Sequence, residues 1–86
     1  MHRPITDPQA LGVAIREARK GREWTQAELA ERAVVSRRFV QELERGTRQR
    51  AELARVLAVL RALDRGLQLV ETQTQSFDDV LSEVLG

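Results

Sequence analysis

Residues 24–46 read WTQAELAERAVVSRRFVQELERG, and this stretch decides the fold. Thr25 with Glu28 three residues on is a capping box: the hydroxyl accepts from an amide of the first turn, and the carboxylate reaches back to the amide of the cap. Leu29, Ala30 and Ala33 then form the buried face of a helix of about two turns. Val34, Val35 and Ser36 make a short connection. Ser36 caps another helix that runs to about Arg45 and stops at Gly46, because glycine takes the left-handed conformation that ends helices without a steric penalty. On that helix Val40 and Leu43 point inward, and Arg37, Arg38 and Gln41 lie on the other side. The stretch predicts two short helices joined by a tight turn, the second with a polar, basic outer face.

Upstream, Asp7 and Pro8 give a helix start as cap and first helical position, and Leu11, Ala14, Ile15 and Ala18 fall on one apolar stripe that ends near Gly21. Downstream, a fourth helix is predicted from about Gln49 to Leu63, with Leu53, Val56, Leu57, Leu60 and Leu63 at helical spacing and Gly66 as terminator. Leu67, Gln68, Leu69, Val70, Glu71 and Thr72 then alternate in part and favour β structure, which reads as one short strand. A lone strand has unpaired backbone groups, and the same strand of a second copy across a two-fold axis would satisfy them. The alternative is an extended, solvated C-terminus. Residues 73–76 are a polar linker. Phe77, Val80, Leu81, Val84 and Leu85 recur at helical spacing among Asp78, Asp79 and Glu83, an acidic amphipathic segment suited to docking on its own body or on another protein.

The 86 residues fit one small domain. With two Phe, one Trp and no Tyr, its core is built from Leu, Val, Ala and Ile, which favours helices. A single core of this size is marginal, so self-association is expected as further support. The absence of Cys excludes disulfides, thiol catalysis and zinc fingers, and fits a cytoplasmic address. No run approaches the ~20 apolar residues of a membrane span, and the N-terminus lacks the apolar core of a secretory signal. One histidine, His2, leaves no Ser/His/Asp, Cys/His or two-histidine metal arrangement to assemble, and no glycine-rich phosphate loop occurs. The expectation is a non-enzyme with no metal and no cofactor. The net charge of +1 conceals an asymmetry: residues 1–65 hold all 14 Lys and Arg against nine acids, and residues 66–86 hold four acids and no base. A basic body suits a phosphate-binding surface, although a solvated face would look the same.

Residues 24–46 resemble the helix-turn-helix of the Xre/Cro repressor family, in which Thr-Gln begins the supporting helix, Leu-Ala packs it and Glu-Arg-Gly closes the recognition helix. The resemblance covers residues 11–65 and holds together at Thr25, Gln26, Leu29, Ala30, Val35, Ser36, Val40, Leu43, Glu44 and Gly46. It implies an all-α, four- to five-helix, lambda-repressor-like DNA-binding domain over residues 1–65, whose recognition helix enters the major groove. Arg37, Arg38 and Gln41 would then read bases, Arg being suited to guanine O6 and N7 and Gln to adenine N6 and N7. Phosphate anchoring without readout is the alternative for either arginine. The resemblance also implies phosphate contacts by Thr25, Gln26 and Ser36 at helix N-termini, with Arg48 and Arg50 flanking them, and a structural ion pair between Arg19 and Glu44. Trp24 is expected to staple the supporting helix to the core. Phe39 either covers the edge of the core or touches a thymine methyl or sugar. Val34 stands where the family usually has a glycine of positive φ; a β-branched residue is strained there, and a rearranged turn is expected.

The ending, ARVLAVLRALDRGLQLVE, is similar to that of HipB-type antitoxins, whose dimers pair this strand between subunits, although Asp64 and Arg65 lengthen the junction before it. This implies a homodimer joined through a dimerisation strand at 66–72 (Leu67, Gln68, Leu69, Val70 and Glu71), with an acidic tail at 73–86. It also implies a pseudo-palindromic operator in double-stranded DNA, repression of the chain's own promoter by occupancy, and a HipA-type kinase toxin as partner, with no membrane involved. A family repressor without a toxin partner is a second reading. A protein-interaction module whose basic face serves an acidic partner is a third, which salt dependence separates from DNA binding.

Overall fold

A computed structural model describes residues 3–72; His2 and the acidic segment expected at 73–86 lie outside the described residues. Four helices follow one another: α1 (Pro8–Gly21), α2 (Gln26–Ala33), α3 (Arg37–Arg45) and α4 (Leu53–Ala62). No strand is assigned among the described residues, and the domain is all-α.

Local chemistry fixes three of the four helix starts. The Asp7 carboxylate accepts from the Ala10 amide at 2.7 Å, with Pro8 in the first helical position. Thr25 and Glu28 form the complete capping box, each bond 3.1 Å long. The Ser36 hydroxyl accepts from the Phe39 amide at 3.0 Å, and Gly46 closes α3 with φ +72. A Cβ at Gly46 would also lie 2.8 Å from Gln9 Cα, so both conformation and space demand glycine there.

The last helix differs from the expectation. It begins at Leu53 rather than Gln49, since residues 49–50 form a turn and Glu52 occupies the cap position without a side-chain bond. It ends at Ala62 with Leu63 as its cap and Asp64 in the left-handed region (φ 54), so Asp64 and not Gly66 reverses the chain. Val56, Val59, Leu60 and Leu63 are buried, whereas Leu53 is 63% and Leu57 38% exposed. The apolar stripe of α4 is wider than its neighbour covers: α4 packs chiefly on α2, and the Leu53–Leu57 side is left open.

The turn between α2 and α3 also departs from expectation. It is not rearranged; Val34 itself adopts the left-handed conformation, φ 58 and ψ 47. The Val34 and Val35 amides bond back to the carbonyls of Glu31 and Ala30, and buried Ala33 and half-buried Val35 pin the chain on either side. These contacts outweigh the ~1–2 kcal/mol that a left-handed L-residue costs. The valine side chain is 89% exposed and gains nothing from burial.

The core gathers Ile15, Leu29, Phe39, Val40, Val59 and Leu63, all essentially sealed from solvent. Phe39 is therefore a core residue, which decides between its two sequence readings. α3 packs against both α1 and α2. The approach to α1 is close because Gly12 lacks a side chain; a Cβ there would lie 2.5 Å from the Leu43 carbonyl oxygen. Residues 66–72 carry no regular structure, and Leu67, Leu69 and Val70 are exposed. Pairing of the strand expected there needs a second chain.

Candidate nucleic-acid interface

With Phe39, Val40, Leu43 and Glu44 turned inward, α3 presents its remaining residues outward. Arg37 and Arg38 are exposed in its first turn, and Gln41 is half-buried one turn later. Arg37 and Gln41 have no hydrogen-bonding or ionic partner among the described residues. Arg45 continues the line of Arg37 and Gln41 at four-residue spacing and is also exposed. The sequence reading passed over it, although its spacing was visible.

Arg38 is not free. Its Nε donates to Glu42 Oε1 at 3.0 Å, and the other carboxylate oxygen of Glu42 accepts from Arg48 Nη1 at 2.5 Å. Hydrogen bonds from Arg48 first and Arg38 second hold the Glu42 carboxyl below the usual carboxylate range. The Arg48 guanidinium lies 4.9 Å from the centroid of the Phe39 ring. Arg48, expected on the backbone of a nucleic acid, is thus half-buried and engaged within the protein, while Arg50 is exposed and unpartnered among the described residues.

At the start of α2 and α3, Thr25 and Ser36 are exposed. Each hydroxyl accepts an amide proton as a cap and keeps its own proton to offer an anion. Gln26 is turned elsewhere: its Nε2 donates to Glu44 Oε1 at 3.1 Å, so its side chain faces the interior.

That interior contact belongs to a junction of three helices. Arg19 Nε and Nη2 donate to the two oxygens of Glu44 at 2.6 and 3.0 Å, a two-pronged pair, and Arg19 Nη1 donates to the Trp24 carbonyl at 2.6 Å. The side chains of the pair are 10% and 3% exposed. Trp24 packs half-buried against the core, with Arg32 and Arg22 at 4.3 and 5.2 Å from its ring centroid. Two helices are thereby fastened at a fixed crossing, and the outer face of α3 is held rigidly.

Among the described residues no cluster of His, Cys, Asp or Glu could hold a metal ion, and no helix is long and apolar enough to cross a membrane. Residues 15–70 match the family described as helix-turn-helix. The chain belongs to the helix-turn-helix family. It is a DNA-binding regulator. No curated protein matches it in sequence. The helix-turn-helix fold is also similar to a chain of a solved structure, "Structure of HipA-HipB-O2-O3 complex", with a TM-score of 0.74 and 24% identity over 84% of this chain and 100% of that one. At that identity the likeness concerns the fold.

Proposed function

We propose that the protein is a dimeric, sequence-specific repressor that occupies its own promoter and serves as the antitoxin of a HipA-type kinase toxin. The observation that carries the DNA-reading part is the outer face of α3, where Arg37, Arg38 and Gln41 stand outward from a helix whose inner face is locked. Arg37, Arg38 and Gln41 read base edges in the major groove, and Arg45 extends the same line. Thr25, Ser36 and the first amide of α2, that of Gln26, bind phosphates on either side, with Arg50 beyond them. Arg48 contributes through the residues it holds.

Dimerisation is supported by the apolar groove between the two ends of the described chain, lined by Ile5, Leu11, Leu43, Leu53, Val56 and Leu67. A second copy would cover it and pair residues 66–72 with their own counterparts. The toxin partner is supported by the structural neighbour, which comes from a complex of HipA and HipB with O2-O3. Residues 73–86, acidic and amphipathic in sequence, are the segment offered to the toxin.

Binding to a randomised duplex pool tests the first claim. The wild-type chain should select a two-part site with half-sites ~34 Å apart, and its affinity should fall steeply with salt. Arg37→Ala should relax sequence choice, and Arg50→Ala should weaken all sequences alike. Unaltered affinity and preference in Arg37→Ala would remove α3 as the reader. Titration with a HipA-type kinase tests the last claim, and a repressor that binds its operator but no kinase is a regulator without a toxin.

A further inference from the structure

The contacts around Glu42 have a direction, from the core outward. Phe39 is 1% exposed and fixed. The Arg48 guanidinium lies over its ring at 4.9 Å, which limits where Arg48 Nη1 can be. Nη1 donates to Glu42 Oε2, and the Thr47 amide and hydroxyl both donate to the Glu42 carbonyl oxygen, at 3.1 and 3.3 Å. The loop after α3 is therefore tied to Glu42 through backbone and side chain together. With one oxygen fixed from behind, the other accepts Arg38 Nε at 3.0 Å. An exposed carboxylate–guanidinium pair four residues apart on a helix is ordinarily weak, because both long side chains wander. Here only Arg38 is free to wander, and its partner is anchored.

We infer that Glu42 is a positioning residue: it holds Arg38 extended from the recognition helix for guanine and couples that arginine to the loop at Thr47–Arg48. This rests on the reading of α3 as the base-contacting helix. The chemistry fits the task. With Nε spent on the carboxylate, both terminal nitrogens of Arg38 remain, and they form the planar fork that matches guanine O6 and N7. Glu42 itself has no oxygen left without a cationic partner with which to accept from a cytosine amino group, so its effect passes through Arg38. Its negative charge also repels phosphate. Removing it should therefore not weaken sequence-independent binding.

The test compares the full-length wild type with Arg38→Ala, Glu42→Gln and the double variant on the selected operator, on single-base variants of it, and on unrelated duplex. Arg38→Ala identifies the base pair that Arg38 reads. Glu42→Gln should lower discrimination at that same base pair by about tenfold, leave binding to unrelated duplex unchanged or stronger, and add nothing once Arg38 is gone. Glu42→Asp, which keeps the charge on a shorter stem, should restore only part of the discrimination. Full discrimination in Glu42→Gln overturns the inference while leaving the proposed function intact. So does a loss at a base pair that Arg38→Ala leaves untouched, since Glu42 would then read that base itself. A parallel loss on operator and unrelated duplex also overturns it, because that pattern belongs to a damaged fold. Absence of any sequence preference in the wild type sinks the reading of α3 and this inference with it.

Discussion

α3 carries two glutamates, Glu42 and Glu44, and each accepts from guanidinium nitrogens with both of its oxygens, yet they belong to different regions of the molecule. Glu44 faces inward with a side chain 3% exposed, and its partners Arg19 and Gln26 come from two other helices. Glu42 faces outward, and its partners are the exposed Arg38 and the loop residue Arg48. Solvent decides what each contact is for. Where water is excluded, an unpaired charge is so unfavourable that the pair fixes how helices cross. Where water competes, the same pair adds little to folding and instead restricts the reach of a side chain.

The comparison breaks most visibly at Glu44. Glu44→Ala strands the Arg19 guanidinium in the interior with one carbonyl, and should cost about 3–5 kcal/mol, much of the stability of so small a domain. The urea unfolding midpoint measures it, and a small shift would mean that Arg19 reaches water easily. Next in size is Gly12→Ala on the same inner side. Its Cβ would meet the backbone carbonyls of Leu43 and Glu44 at 2.5 and 2.6 Å. No rotamer change relieves a backbone clash, so a loss of about 1–3 kcal/mol is expected in the same assay.

On the outer side the sign reverses at the turn. Val34→Gly relieves a left-handed valine without uncovering apolar surface in the core, and after the flexibility of glycine in the unfolded chain is subtracted it should stabilise by roughly 1 kcal/mol. Thermal unfolding should then shift upward by about 4–8 °C. The smallest effect belongs to Glu42. Its carboxyl is held low in the folded chain, so its ionised contacts favour folding above the range in which an unfolded glutamate titrates. That contribution fades as the pH falls through the lowered folded value. The stability difference between wild type and Glu42→Gln should therefore be steady from neutral pH to about pH 5 and vanish in stronger acid.

Legibility in the sequence follows the range of each interaction. Caps are local, and Asp7, Thr25 with Glu28, Ser36 and Gly46 each lie within a few residues of what they contact, so three helices were readable to the residue. α4 was not: periodicity marked its apolar positions without saying that α2 covers only part of them, and it started four residues late. The outward row Arg37, Arg38 and Gln41 was readable because it is the complement of the inward Val40 and Leu43. What Gln26 and Arg48 touch was not, since their partners Glu44 and Phe39 come close only through tertiary packing. Val34 was readable as a point of strain, but the balance between strain and the bonds on either side exists only in the folded chain.

The junction at Glu44 has a consequence for how the protein opens. A carboxylate that accepts from Arg19 of α1 and Gln26 of α2 cannot lose the arginine without leaving an uncompensated charge, or the glutamine without leaving an amide unsatisfied. Local fraying is therefore penalised across the whole trio. Amide protons throughout these three helices should exchange with solvent at a common slow rate, as one cooperative block, while residues 66–71 exchange freely and early.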